Sequence, residues 1–110
     1  MKKILLLLII PLFSYSQSKS LKVNFPVNGV CKMCKERIEK VSLNLKGVKY
    51  ADWNLNSSNL SIIFNMKKVT IDEIKNKIAE SGHDNGDYIS SLESYNKLPD
   101  CCKYRDTAKH

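Results

Sequence analysis

A chain of 110 residues with 18 Lys and Arg against 11 Asp and Glu, a net charge of +7, has room for one small domain. Its lysines are spread along the chain and aromatics make up only 8% of it, so it lacks the basic and aromatic interleaving of a single-strand nucleic-acid binder. It also lacks a Ser-His-Asp set, a phosphate-cradling glycine loop and a paired-carboxylate arrangement suited to acid–base catalysis.

Met1 to Ser16 reads as a secretory signal. Lys2 and Lys3 form a basic start, Ile4 to Ile10 is an unbroken apolar run, and Ser14-Tyr15-Ser16 is a small-x-small cleavage site before Gln17. The run is shorter than the ~20 residues that a membrane span requires, so no retained membrane anchor is expected. No cysteine follows it to take a lipid. The mature chain would start near Gln17 and keep 16 basic and 11 acidic residues, a balance of +5. Export argues against a nucleic-acid partner and places the protein in the periplasm or outside the cell. A moderately basic surface suits encounter with an acidic protein.

Leu21 to Val27 alternates apolar and polar side chains, the period of a half-buried strand. Pro26 has no amide to donate, which suits an edge or a bulge. Asn28-Gly29 turns the chain into Val30-Cys31-Lys32-Met33-Cys34. A helix is then expected over Cys34 to Lys46, with Cys34, Ile38, Val41 and Leu45 as its apolar stripe and Gly47 as its stop. Val48 to Leu55 and Leu60 to Phe64 read as a hairpin around Asn56 to Asn59. Thr70-Ile71-Asp72-Glu73 is a capping box that opens a second helix with Ile71, Ile74 and Ile78 inward and Gly82 at its end. Asp87 to Ser90 is a short, poor candidate for a fourth strand. Leu92, Tyr95 and Leu98 suggest one or two helical turns before Pro99, and the last residues look frayed.

The chemistry is concentrated in the cysteines. Cys31 and Cys34 open a helix about one turn apart, on one face, where the free amides and the helix dipole favour thiolates. Two close thiolates suit Cu(I) or Zn(II), and the same pair suits a redox disulfide or a structural one. Cys101 and Cys102 are adjacent and far away in sequence. Two close pairs are an unusual framework for structural bridges, but they can converge on one site. A tail of ~20 residues from Gly82 reaches well beyond a small domain's width. It can therefore bring Cys101 or Cys102 to Cys31 and Cys34, with Tyr104 and Arg105 packed beside them and Arg105 offsetting thiolate charge. The alternatives are a loose tail and a mixed disulfide to the C-x-x-C.

Strand, C-x-x-C loop and helix, followed by GVKYADWNLNSSNLSIIF and TIDEIKNKIAESGHD, resemble the heavy-metal-associated domain over about Leu21 to Tyr88. That family includes small copper chaperones, the N-terminal repeats of copper-transporting ATPases and the periplasmic mercuric-ion scavenger. The resemblance implies an α+β fold, the ferredoxin-like βαββαβ sandwich, here with a degenerate fourth strand and a short helical C-terminal tail. The divisions would be residues 1–16 as signal, 21–89 as domain and 90–110 as tail. It also implies Cys31 and Cys34 as metal ligands. Three features depart from the family pattern. Gly29 and Val30 directly precede Cys31, where the family has Gly-Met-x, and Met33 lies between the cysteines instead, as a buried plug, a packing or exposed side chain, or a soft surface contact. His83 stands where the family often has Tyr or Phe, and some copper chaperones of the family have His there. As a neutral imidazole it is a third ligand, a hydrogen-bond partner to a thiolate, or a solvated loop residue. The tail resembles a secreted variant in which Tyr-x-x-Leu leads to Cys-Cys-x-Tyr-Arg. His110 is read as the bare terminus.

The expected function is non-enzymatic capture, sequestration or hand-over of a soft ion: Cu(I) first, then Zn(II), Hg(II) or Cd(II). A metal-transporting membrane protein or another metallochaperone would be its partner. The alternative is a thiol-disulfide redox protein using the same C-x-x-C, although the element order does not make a thioredoxin core.

Overall fold

The computed structural model describes residues 19–110, so the apolar leader lies outside the described residues. β1 (Ser20–Pro26), α1 (Lys32–Leu43), β2 (Val48–Trp53), β3 (Asn59–Asn65) and α2 (Ile71–Glu80) follow in the expected order. They are joined by a short helix, α3 (Leu92–Asn96), and a 3₁₀ turn over Asp100–Cys102. The sheet order is β1-β3-β2 with both pairings antiparallel. β3 takes the centre because Leu60, Ile62 and Phe64 alternate inward at the period of a strand. They meet Phe25, Val23 and Leu21 on β1, while Leu60 and Ile62 meet Trp53 and Ala51 on β2. Ile38 of α1 and Ile74 and Ile78 of α2 complete the core against this face.

The fold is the ferredoxin-like βαββαβ sandwich with its last strand nearly lost. Asp87 to Ser90 forms no strand, and an isolated bridge between Asn85 and Tyr88 is all that remains. The backbone there has other partners: the Ser90 amide donates to Asp84 Oδ1 at 2.7 Å, and the Ser90 hydroxyl donates to the Ala79 carbonyl. Ile89, the strongest strand former of the four, points to solvent.

Helix α2 starts at the expected box, of which the Thr70 side-chain arm forms. Thr70 Oγ1 accepts from the Glu73 amide at 3.1 Å and donates to Glu73 Oε1 at 3.3 Å. Helix α1 starts at Lys32, earlier than the apolar stripe implies, and ends at Leu43. Asn44 caps it, and the chain turns back through Gly47 at φ 103° so that Val48 can pair with Phe64. Gly82, at φ 111°, ends the α2 segment. A Cβ there would lie 2.8 Å from Leu98, so the missing side chain lets the tail pack onto α2.

Candidate metal centre

The loop before Cys31 is held from beneath by Trp53. The indole is fully buried, and its Nε1 donates to the Val27 carbonyl at 2.9 Å and the Ser58 carbonyl at 3.0 Å. Ser58 adopts a left-handed φ of 63°, and its carbonyl also accepts from the Val27 amide. Gly29 lies flat on the indole, where a Cβ would come within 2.9 Å of Trp53 Cζ2 and 3.1 Å of Cys34 Cβ. The chain therefore needs glycine here for close approach.

Cys31 is the N-cap residue of α1, with extended backbone (φ −148°, ψ 170°). Its carbonyl starts the helix by accepting from the Lys35 amide, which leaves its sulfur free to face the tail. Cys31 Sγ lies 3.4 Å from Cys34 Sγ and 3.6 Å from Cys102 Sγ. The sulfurs of Cys31, Cys101 and Cys102 all lie within 4.8 Å of one another. Cys34 Sγ accepts from the Val30 amide at 3.5 Å. All four cysteines carry free thiols. Cys34 and Cys102 are fully buried, and Cys101 is half-exposed at the rim.

The tail is latched independently of its sulfurs. Arg105 grips Asp84 with two nitrogens, Nη2 to Oδ1 at 2.9 Å and Nε to Oδ2 at 3.2 Å, and Nη2 also donates to the Ser90 carbonyl. Its guanidinium lies over the Tyr95 ring, 4.2 Å from the centroid. Arg105, expected to offset thiolate charge, pairs instead with the Asp84 carboxylate. Tyr104 donates its hydroxyl to the Gly82 carbonyl at 2.6 Å and accepts from the Asp84 amide at 2.8 Å. Even the last residue is tied down, because the His110 amide donates to the Val30 carbonyl at 2.8 Å.

The converging group is Cys31, Cys101 and Cys102; Cys34 adjoins it through Cys31, and His83 is brought near this assembly without being part of it. Its ring is fully buried, Nδ1 lies 2.8 Å from the Asn28 carbonyl, and its face stacks on Tyr104 at 5.5 Å. Nδ1 therefore carries the proton, and the ring braces the loop leading to Cys31. Neither Asp84 nor the Trp53 brace was singled out from the sequence. Asp84 lies 21 residues from Arg105, a separation at which no local periodicity acts.

Burial and crowding shift the three buried thiols in different directions. Burial works against charge on Cys31, but the Cys34 amide and the thiols of Cys34, Cys102 and Cys101 outweigh it and lower its pKa. Burial raises Cys34 and, more strongly, Cys102, whose neighbours Cys34 and Cys31 disfavour a second charge. Thiols held in such a cluster would release protons when a cation arrives.

A model of the heavy-metal-associated domain matches residues 25–84 of this sequence. The chain belongs to that family. It is 33% identical over 54 residues to the copper chaperone CopZ of Staphylococcus epidermidis, which covers 49% of this chain and 79% of that protein. The solved CopZ metallochaperone superposes with a TM-score of 0.58 at 30% identity, over 60% of this chain and all of that one. A copper-binding domain from HMA7, a P-type ATPase, does so with 0.57 at 26%, over 59% of this chain and 89% of that one. Kinship with metallochaperones supports a non-enzymatic role. The family match stops at Asp84, so in this heavy-metal-associated domain Cys101 and Cys102 come from a segment that the family model does not cover.

Burial lowers the pKa of His83 from 6.5 to about 4, with Arg37 adding to the shift and the Asn28 carbonyl opposing it. The unfolded chain therefore takes up this proton first as pH falls. The stability that this depressed pKa supports is complete above pH ~6.5 and is lost as pH falls towards about 4, by up to about 3 kcal/mol. Urea unfolding of the reduced, metal-free domain at pH 7.5 and pH 4.5 should show that loss, and His83→Gln should flatten it. An unchanged slope in the variant would contradict the assignment.

Proposed function

We propose that the chain is an exported soft-metal-binding protein that holds its ion, Cu(I) first, between Cys31 and Cys34 of the domain and Cys101 and Cys102 of the tail. The observation that carries this reading is the convergence of the Cys31, Cys101 and Cys102 sulfurs within 4.8 Å, with Cys34 Sγ 3.4 Å from Cys31 Sγ. Thiolates in this number suit soft ions. Hg(II) and Cd(II) can compete for them, and Zn(II) fits a four-sulfur shell. His83 serves as a brace for the loop.

Two cysteines alone leave open positions through which a partner's thiol can attack. Three or four sulfurs, with the tail latched by Arg105 and Tyr104, favour retention, so sequestration is the principal role and hand-over is slow. The likeness to a copper-binding domain of a P-type ATPase supports a metal-transporting membrane protein as recipient or donor, with another metallochaperone as the other choice. The apolar leader over residues 1–16 supports delivery to the periplasm or beyond, with residues 21–89 as the binding unit and 90–110 as its closing tail.

Competition between the reduced chain and a chromogenic Cu(I) chelator under anaerobic conditions tests this reading. One ion per chain should be taken up, with release of protons and an affinity that rises with pH. No uptake, or unchanged uptake in a Cys31→Ser, Cys34→Ser variant, would overturn it.

A further inference from the structure

Met33 occupies an unusual position for a large apolar side chain. It lies in the first turn of α1, between the two cysteines of the motif, and is 45% exposed. The hydrophobic core does not include it. Its thioether sulfur lies 3.5 Å from Cys101 Sγ, the most exposed of the four thiols. Cys101 Sγ in turn lies 4.0 Å from Cys102 Sγ and within 4.8 Å of Cys31 Sγ. The cluster therefore has two sides. Cys31, Cys34 and Cys102 form a buried floor, and Cys101 and Met33 form a rim that faces solvent.

The two rim donors differ chemically. A thiol must lose a proton to bind a cation well, whereas a thioether is neutral and binds without deprotonation. Thioether sulfur is a ligand for Cu(I) and equally soft monovalent ions, and a poor one for Zn(II), which takes thiolate, imidazole and carboxylate. An exposed thioether also moves easily on its three rotatable bonds.

We infer that Met33 is a metal-contacting residue: its thioether and the Cys101 thiolate form the solvent-side half of the site, receive the ion first and select monovalent soft ions over Zn(II). This rests on the proposed soft-metal function and adds to it a residue and a basis for discrimination. Met33 thereby acquires a role that packing does not supply.

Met33→Leu keeps the size and apolar character of the side chain and removes only the donor sulfur. Ag(I) is a suitable redox-inert probe beside Cu(I) and Zn(II). In the reduced full chain, Met33→Leu should weaken Cu(I) and Ag(I) binding by about tenfold or more, on the scale of losing a supporting contact at a metal site, and leave Zn(II) binding within about twofold. The Met33 methyl resonance of the wild-type chain should shift on Ag(I) loading, while that of Met66 should not. Circular dichroism and melting should match wild type, because the side chain is outside the core. Equal weakening for all three ions, or no change for any, would overturn the inference. If wild type binds Cu(I) and Ag(I) tightly and Met33→Leu does the same, only the role of Met33 fails. If wild type binds neither, the soft-metal reading itself fails, and the inference with it.

Discussion

Cys31→Ser is expected to reduce Cu(I) affinity by well over the roughly 10–100-fold that loss of an outer-shell partner costs a metal site, while leaving the fold intact. Cys31 Sγ is the sulfur that the others surround, with Cys34 at 3.4 Å, Cys102 at 3.6 Å and Cys101 within 4.8 Å. Its neighbours also lower its pKa against the opposing effect of burial. Stability should move the other way. Cys31 is the N-cap of α1 and makes no side-chain cap bond. Serine is a preferred cap, worth about 1 kcal/mol over residues that do not cap. A variant that melts at or above the wild-type temperature yet fails to compete for Cu(I) would separate ligation from folding. Retained affinity would remove Cys31 from the centre of the site.

The second large effect concerns the tail. Cys101→Ser with Cys102→Ser should leave a site without its two tail thiolates that still binds Cu(I) but passes it to a small thiol acceptor at least about tenfold faster than wild type, since the vacated positions admit an attacking thiol. The tail should stay docked in this variant. Arg105 still grips Asp84, Tyr104 still bridges the Gly82 carbonyl and the Asp84 amide, and Tyr95 and Leu98 stay in the core. Stopped-flow transfer to a thiol-bearing chelator measures the rate, and the melting curve checks the docking. Burying a hydroxyl at position 102 should lower the melting point slightly, because Cys102 is fully enclosed. Identical transfer rates would mean that the tail sulfurs do not hold the ion.

The parts of the fold that could be read from the sequence are those set by short-range rules. The alternation of Leu60, Ile62 and Phe64, the Thr70 to Glu73 box and the stripe of Ile74 and Ile78 each depend on neighbours within one or two turns. The C-x-x-C motif belongs to the same class, because a helix mouth fixes where its two sulfurs stand. The rest is non-local. Nothing near Arg105 announces that its carboxylate partner is Asp84, and the cysteines nearby in sequence point to the thiolates instead. His83 follows a helix-ending glycine, a setting typical of a solvated loop, yet the tail covers it with Tyr104 and buries it. The fourth strand was expected to be weak; it is displaced because Asp84 and the end of α2 take the hydrogen bonds of Ser90. Chain length allowed the tail cysteines to reach the site, but the side chains that hold them there became visible only in three dimensions. Met33 needed both levels: its position in the motif is plain in the sequence, and its thiol neighbour lies 68 residues away.

The most direct measurement is X-ray absorption at the copper edge on the reduced, fully loaded, full-length protein, counting the sulfur neighbours of each ion. A converged site drawn from both ends of the chain predicts three or more sulfurs per ion, with fewer in the Cys101→Ser, Cys102→Ser variant. Two sulfurs in both proteins, or a shell of nitrogen and oxygen, would contradict it.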